Sequence, residues 1–336
     1  MNLEDIARKA GVSRSTVSRV INNEKYVSED VRQRVLQVIQ QEHFQPNPAA
    51  RTLVTRRSNI VGTAISQTTN VFFGDNSYFP MLLQGIAEAV NKKNYAMLLW
   101  LAESAEERQT FAERVLKSRQ PDGVIITSVT ENDPLFAGLL QHNRRFVMVE
   151  TPPHHAEQVS YVTVDNIAAA QAAVNHLIEI GRRRIGIITG LITIRDAIDR
   201  LAGYKLALEA AGLPIDPSLI AYGHFERTAG YRAAKQILAC DPPPDAIFAS
   251  GDTIALGVMD AAKELGFRIP EDLAVVGFDD LDVAQQANIT TIRHSVQLVG
   301  STAAELLIKL IEGQLEHPHH IVLPTALIVR RSTVLV

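Results

Sequence analysis

Two arginines near the N-terminus, Arg14 and Arg19, are the residues whose chemistry is most informative. They lie in a segment with the spacing of a short helix, and an arginine can form two parallel hydrogen bonds to the edge of a guanine in the DNA major groove. Ser13, Thr16 and Asn22 lie beside them and carry groups that can donate hydrogen bonds to phosphates. This set favours a surface that contacts DNA. A small helical bundle with a solvated arginine face is the alternative.

Helical spacing around this segment predicts the elements that position it. A helix before Gly11 and a second helix over residues 14–22 would be joined by a sharp turn, for which Gly11 supplies a permissive backbone and Ser13 the N-cap. Ser28 would open a third helix. The apolar positions expected to pack the helices together are Leu3, Ile6, Ala7, Ala10, Val17, Val20, Ile21, Val31, Val35, Val38 and Ile39. Three short helices with a polar second helix are typical of a helix-turn-helix.

Charge is distributed unevenly along the 336 residues, whose net charge is −4. Residues 1–57 carry ten Lys and Arg against six Asp and Glu, whereas residues 58–336 carry 23 against 31. A basic N-terminal region on an acidic body fits a protein whose N-terminal region meets a polyanion. No apolar run approaches the ~18 residues of a membrane span and no secretion signal is recognisable, so a cytoplasmic protein is expected. Cys240 is the sole cysteine and cannot form an intrachain disulfide.

Prolines and arginines dominate the segment that follows the third helix. Pro46 and Pro48 would end that helix, and the piece that follows, residues 49–57, is shorter than the ~12–15 residues that hold a helix alone in water. It would become helical only on gaining contacts. Arg51 would attract phosphates, and Leu53 is suited to wedge between base pairs in a minor groove. An ordinary linker, with Leu53 packed against the body, is the alternative.

From residue 59 onward, short apolar runs alternate with helical patterns. Examples of the runs are IVGTAIS, DGVIITS, RIGIITG and LAVVGFDD. The alternation predicts parallel sheets with helices on both faces, and the length predicts two doubly wound lobes side by side. Ligands of such sheets bind beyond the carboxyl ends of the strands, which places a site in the cleft between the lobes.

The sequence contains no common nucleotide-binding or catalytic motif, so neither an enzyme nor a cofactor is expected. His154 and His155 lie in a proline-flanked loop, where a solvated loop is favoured over a metal site.

Residues 3–23, LEDIARKAGVSRSTVSRVINN, resemble the DNA-binding signature of the lactose/galactose repressor (LacI/GalR) family, and the similarity continues to Leu53. The resemblance implies a helix-turn-helix domain in residues 1–45, a hinge in residues 46–58, and an effector-binding and dimerisation domain in residues 59–336.

For the DNA-binding part, the resemblance assigns base contacts to Arg14, Ser15 and Arg19. It also implies that the hinge residues Ala50, Arg51 and Leu53 enter the minor groove.

The body resembles the family to its end, and its lobe arrangement is similar to that of periplasmic sugar-binding proteins. The first lobe would comprise approximately residues 59–162 and 292–324, and the second approximately residues 163–291 and 325–336.

The same resemblance implies an effector site. Arg200, in RLAGY, would grip the effector, and Asp279, in VVGFDD, would accept hydrogen bonds from its hydroxyls. Glu150 falls where relatives carry a ligand-binding aspartate, and Phe225 falls where a relative stacks a ring on its sugar. Phe79 is expected to line the cleft. A carboxylate, an arginine and an aromatic ring together suit a sugar or polyol.

Three points about this site stay open in the sequence. Asp252 is a further effector candidate, but Gly251 before it replaces an asparagine of many relatives, so one amide contact is missing. Arg200 could instead pair with Asp196 or Asp199. Asp279 could cap the segment after its strand.

The predicted function is a homodimeric DNA-binding transcription regulator that recognises a pseudo-palindromic operator. It is expected to be a repressor of a carbohydrate-utilisation operon, released by a sugar-like effector, with no metal, cofactor or membrane. A regulator whose ligand or protein partner strengthens DNA binding, as a corepressor does, is the alternative.

Overall fold

A computed structural model describes residues 2–21, 26–44, 57–66, 76–102, 104–118, 120–316 and 318–334. The chain divides into two compact units, residues 1–58 and residues 59–336. The phosphate candidate Asn22 and the hinge candidates Ala50, Arg51 and Leu53 lie outside the described residues.

The first unit contains the predicted helices. Helix α1 spans Leu3–Ala10, α2 spans Arg14–Ile21 and α3 spans Glu29–Gln41. Their apolar faces meet in one core, whose buried members are Ile6, Ala7, Ala10, Val17, Val20 and Val35.

Local hydrogen bonds fix the ends of these helices. Asn2 begins α1 by accepting hydrogen bonds from the backbone amides of Glu4 and Asp5. Gly11 ends α1 with a φ of 64°, a left-handed conformation that favours glycine. Ser13 Oγ accepts a hydrogen bond from the Thr16 amide at 3.1 Å, as expected of an N-cap. The predicted turn between α1 and α2 is confirmed.

The second unit contains the strands. These are β1 Ile60–Ile65, β2 Ala96–Leu101, β3 Gly123–Thr127, β4 Phe146–Val149, β5 Ser160–Val164, β6 Ile185–Ile188, β7 Ile220–Ala221, β8 Ala246–Ala249, β9 Ala274–Asp279, β10 Thr290–Arg293, β11 His320–Leu323 and β12 Ala326–Ile328. The helices of this unit are α4 Tyr78–Lys92, α5 Ala105–Lys117, α6 Pro134–Gln141, α7 Asn166–Glu179, α8 Arg195–Ala210, α9 Arg227–Leu238, α10 Asp252–Glu264, α11 Asp282–Gln286 and α12 Val296–Glu312. Short 3-10 turns lie at Ala156–Gln158 and Pro217–Leu219.

Each of the two lobes is built on a six-stranded sheet. The strand order is β2-β1-β3-β4-β5-β11 in the first lobe and β7-β6-β8-β9-β10-β12 in the second, so each strand has a counterpart in the other lobe. Paired strands are parallel, except that β12 runs antiparallel to β10. Strands β3, β4, β8 and β9 are buried along their whole length. The predicted fold class, a helical head and two doubly wound lobes, is confirmed.

The chain crosses between the lobes after β5, after β10 and after β11. The expected boundary at residue 292 lies inside β10, which pairs with β9 and β12 of the second sheet. In the described part of the chain, no helix combines the length and hydrophobicity needed to cross a bilayer.

Candidate functional site

The candidate DNA-contacting residues lie on and beside α2. Val17 and Val20 are buried in the helical core, whereas Arg14, Ser15 and Arg19 are exposed. The structure therefore brings the three candidate base-contacting side chains to one solvent-facing region of a short helix, as a recognition helix requires.

Hydroxyl groups at the start of α2 are hydrogen-bonded to one another. Ser13 Oγ lies 2.7 Å from Ser15 Oγ and 2.8 Å from Thr16 Oγ1. Arg14 Nη1 lies 3.3 Å from Glu4 Oε1, and both side chains are exposed, so this ion pair contributes little to stability. Because exposed pairs exchange readily for other partners, Arg14 remains able to engage DNA.

The second candidate site is a cavity between the two lobes, which encloses about 90 Å³. Five of the six effector candidates line it, namely Phe79, Glu150, Arg200, Phe225 and Asp279. The other lining residues are Asn76, Tyr78, Thr127, Ser128, Leu191, Ile194, Asp196, His224, Glu226 and Thr253. Both lobes contribute, and most of these residues follow strands, as expected for parallel sheets.

Arg200 is the central cation of the cavity. It is buried on α8, where its Nε donates to Asn166 Oδ1 at 2.8 Å and its Nη1 donates to the Ser250 carbonyl at 2.7 Å. The guanidinium lies 3.6 Å from the centre of the Phe278 ring. These contacts fix the plane of the guanidinium before any ligand arrives.

The partners of Arg200 answer the question that the sequence left open. Its Nη2 lies 3.6 Å from Asp279 Oδ1 and 4.0 Å from Asp196 Oδ2. Asp199 instead accepts a hydrogen bond from Arg195 at 2.8 Å. Both of these carboxylates, Asp279 and Asp196, also line the cavity.

Glu150 and Asp279 occupy matching positions in the two lobes. Glu150 follows β4 and Asp279 ends β9, and each of these is the fourth strand of its sheet. Both residues have a positive φ, 97° for Glu150 and 105° for Asp279. Such φ values are costly for residues other than glycine and concentrate at functional sites. Val129 donates its amide to Glu150 Oε1 at 2.7 Å, and His294 Nε2 lies 3.0 Å from Asp279 Oδ1.

Burial and like charge perturb the acids of the cavity. Burial, followed by the negative charge of Asp196, raises the pKa of Glu150 well above its usual value, against the hydrogen bonds from Val129 and Ser128. Burial also raises the pKa of Asp196, against the charge of Arg200. Burial and the surrounding carboxylates raise the pKa of Tyr78 well above its usual value, so its hydroxyl stays protonated.

Asp252 has a place different from the expected one. It is fully buried and does not line the cavity; its Oδ1 accepts the hydroxyl of Thr291 at 2.6 Å and its Oδ2 accepts the amide of Leu281 at 2.8 Å. Asp252 therefore holds the loop after β9 against β10. The sequence left open a capping role for Asp279 in this loop, and Asp252 takes that role instead. Burial, then the charge of Asp279, raises the pKa of Asp252.

Phe225 forms one wall of the cavity because a glycine gives it room. A Cβ placed on Gly190 would lie 2.0 Å from the Phe225 ring. Asn76 of the first lobe donates its Nδ2 to the Phe225 carbonyl of the second lobe at 3.2 Å. This hydrogen bond joins the lobes directly beside the cavity, and sequence reasoning missed it.

Several lining residues that sequence reasoning missed carry a positional signal. Thr127 and Ser128 end and follow β3, and Leu191 follows β6, so the rule that ligands lie beyond the carboxyl ends of strands would have found them. Asp196 lies in the first turn of α8. Within the described ranges, no three His, Cys, Asp or Glu side chains are grouped so as to hold a metal ion.

Comparison with known proteins identifies the family. Residues 2–47 match the bacterial regulatory proteins of the lacI family, and residues 174–333 match the periplasmic binding protein-like domain. The HTH-type transcriptional regulator CelR of Thermobifida fusca is 37% identical in an alignment of 335 positions that covers 98% of this chain and 97% of that protein. The chain belongs to the LacI family. It is therefore a DNA-binding transcriptional regulator, in a family of regulators that are not enzymes.

Other members of the LacI family are similar over nearly the whole chain. The HTH-type transcriptional repressor PurR of Escherichia coli is 31% identical and aligns with 98% of this chain and 96% of its own. The solved CelR–cellobiose complex is 34% identical, covers 99% of both chains and superposes with a TM-score of 0.78. The lac repressor dimer bound to operator, at 24% identity and covering 100% of this chain and 99% of its own, has the same fold with a TM-score of 0.85.

Proposed function

We propose that this LacI-family regulator is a repressor that a saccharide effector, bound in the interlobe cavity, releases from its operator. One observation carries the proposal: an enclosed cavity between the lobes combines a pre-oriented arginine with carboxylates and aromatic rings. Carboxylates accept hydrogen bonds from sugar hydroxyls, the arginine donates, and a ring covers an apolar sugar face. The similarity to CelR, solved with cellobiose, supports a saccharide.

On the DNA side, we assign base contacts in the major groove to Arg14, Ser15 and Arg19. Ser13, Thr16 and Asn22 would contact phosphates and fix the register of α2. In the minor groove, the hinge would place Ala50, Arg51 and Leu53, with the leucine wedged between base pairs.

The regulator acts in this proposal as a homodimer on a pseudo-palindromic operator. Strand β2 is an edge strand of wholly apolar sequence, and Leu101 at its end is 45% exposed. Tyr222 follows the matching edge strand β7 and is 61% exposed. Exposed apolar edges are commonly covered by a partner, and a second copy of the chain would cover both.

The effector would act by favouring closed lobes. Lobe closure in a dimer would alter the spacing of the two hinges and so bias their folding on DNA. A coupling of ~1–3 kcal/mol between the two sites changes operator affinity ~5–150-fold, which is enough to switch a promoter.

The test is a saccharide titration of the protein bound to an operator selected from random duplexes, with cellobiose as the first probe. We expect sequence-selective binding that weakens as saccharide is added. A saccharide that tightens operator binding would instead support the corepressor alternative. Absence of preference for any duplex, with or without saccharides, would contradict the assigned DNA contacts.

A further inference from the structure

A second space between the lobes, which we call the outer groove, is open to solvent and has a volume of about 520 Å³. It is lined by side chains of both lobes, among them Arg108, Asn132, Pro153, Ile192, Thr193 and Arg195. We propose that the outer groove is a second sugar subsite, so that the effector is a saccharide longer than one ring. This inference rests on the saccharide effector proposed above.

The cavity and the outer groove are built from the same three segments. Residues 127–132, residues 150–153 and residues 191–198 each contribute side chains to both spaces. Ile194 lines the cavity, whereas its neighbour Thr193 lines the outer groove. Neighbouring residues that line different spaces place the outer groove next to the cavity, and the proposed ligand would extend from one to the other beside these segments.

Size separates the two spaces. The cavity encloses about 90 Å³, and the open outer groove has a volume of about 520 Å³. A ligand whose first ring fills the cavity therefore finds room for further rings in the outer groove.

The first-lobe wall of the outer groove is held rigidly. Asp133 Oδ1 accepts hydrogen bonds from the amides of Leu135 and Phe136 at 2.9 and 3.2 Å, and so caps α6 next to Asn132. A ring nitrogen of His154 lies 3.1 Å from the carbonyl of Glu131, and the same ring packs on Phe136 at 5.0 Å. A wall fixed in this way loses little conformational entropy when it binds a ligand.

The outer groove offers the chemistry that a sugar ring needs. Among the described residues, Arg195 donates only to Asp199, through its Nε. Arg108 forms no side-chain hydrogen bond or ion pair with the part of the chain that the structure describes. Both guanidinium groups can therefore donate to hydroxyls. Ile192 and Ile198 are 43% and 44% exposed and present apolar surface to the C–H face of a ring.

The experiment compares ligands that differ only in length. Glucose, cellobiose and cellotriose, with the corresponding α-linked series, are titrated calorimetrically into the full-length chain and into the double variant Arg108→Ala/Asn132→Ala. Arg114→Ala is the matched control, because Arg114 is exposed on the same helix, α5, and does not line the outer groove.

We expect the wild-type chain to bind a two- or three-ring saccharide at least about tenfold more tightly than its one-ring counterpart. The double variant should lose about tenfold in affinity for the longer ligand, while its affinity for the single ring and the behaviour of the Arg114→Ala control stay unchanged.

Equal affinity for one and several rings, or a double variant that binds every ligand as the wild type does, would overturn the second subsite. The proposed function would still stand if a single ring released the operator. A panel in which no saccharide binds would overturn both the subsite and the saccharide effector.

Discussion

The two candidate sites differ in how their side chains are held. Around α2, the hydroxyls of Ser13, Ser15 and Thr16 are bonded over at most three positions of sequence, and the arginines are exposed. In the cleft, Arg200 is buried and held by partners 34 and 50 positions away. The side chains at α2 are therefore positioned by contacts close in sequence. Those in the cleft are positioned by tertiary contacts, so a change there should alter ligand binding and stability together.

The largest effect is expected for Arg200→Ala, which tests whether tertiary contacts hold the cleft. Removing the arginine leaves Asp279 and Asp196 buried without their cation, which costs ~3–5 kcal/mol when one partner of a buried pair is lost. We expect the free energy of unfolding in urea to fall by this amount and saccharide binding to disappear. Unchanged stability would show that the side chains of the cleft, like those of α2, do not depend on tertiary contacts. Arg268→Ala, which removes an exposed pair with Asp272 and lines neither the cavity nor the outer groove, is the control.

At α2, Arg19→Ala should change DNA binding without changing stability. We expect a loss of ~1–3 kcal/mol on the best operator and much less on random duplexes, because only the operator presents the base edge that Arg19 reads. Fluorescence anisotropy at fixed salt measures both. Arg8→Ala is the control, since Arg8 is an exposed residue of α1 paired with Asp5. Equal losses on both duplexes would contradict base reading.

The buried acids of the cleft make stability depend on pH. Because burial raises the pKa of Glu150, the folded state binds a proton more tightly than the unfolded state does. Its contribution to stability is therefore complete below the usual pKa and is lost as pH rises through the raised pKa, by up to ~1.4 kcal/mol per pH unit.

Glu150→Gln should flatten that dependence of the free energy of unfolding on pH. Glu113→Gln serves as the control, because Glu113 is exposed and the hydrogen bond from Lys117 lowers its pKa. The same slope in the wild type and in Glu150→Gln would show that Glu150 does not titrate as described.

The smallest effect is expected for the hydrogen bond that joins the lobes. Asn76→Ala removes the donor to the Phe225 carbonyl, which should destabilise the closed lobes by ~0.5–1.5 kcal/mol. We expect calorimetry to show weaker saccharide binding by up to about tenfold. Gln84→Ala, which removes an exposed contact with Glu88 on α4, should leave the affinity unchanged; a loss of the same size there would contradict a specific role for Asn76.

Local patterns allowed most of the fold to be predicted. The continuous apolar runs correctly predicted buried strands. The turn between α1 and α2 could be predicted from Gly11 alone, because glycine readily adopts the left-handed conformation found there. Strand β7 was missed because two residues, Ile220 and Ala221, carry no periodic pattern. The start of α8 at Arg195 is weakly marked in the sequence, because Ile194 at its N-cap provides no side-chain capping signal. Asp196 was considered only as a partner of Arg200, and its place in the lining of the cavity was missed.

The cleft could be predicted only in part. Arg200 and Asp279 stood out by motif, but nothing local shows that Asp252 accepts hydrogen bonds from Thr291 and Leu281, which lie 39 and 29 positions away. The contact of Asn76 with Phe225 spans 149 positions and depends on how the lobes close. Such partners follow from packing, which a single sequence does not display.

The most direct test of the account is reciprocity between the two sites. The affinity of the full-length protein for its releasing saccharide is measured by calorimetry with and without saturating operator, and the operator affinity is measured with and without saturating saccharide. We predict that each ligand weakens the binding of the other by one common factor, in the range of ~5–150-fold. A saccharide affinity that is the same on free and operator-bound protein would contradict it.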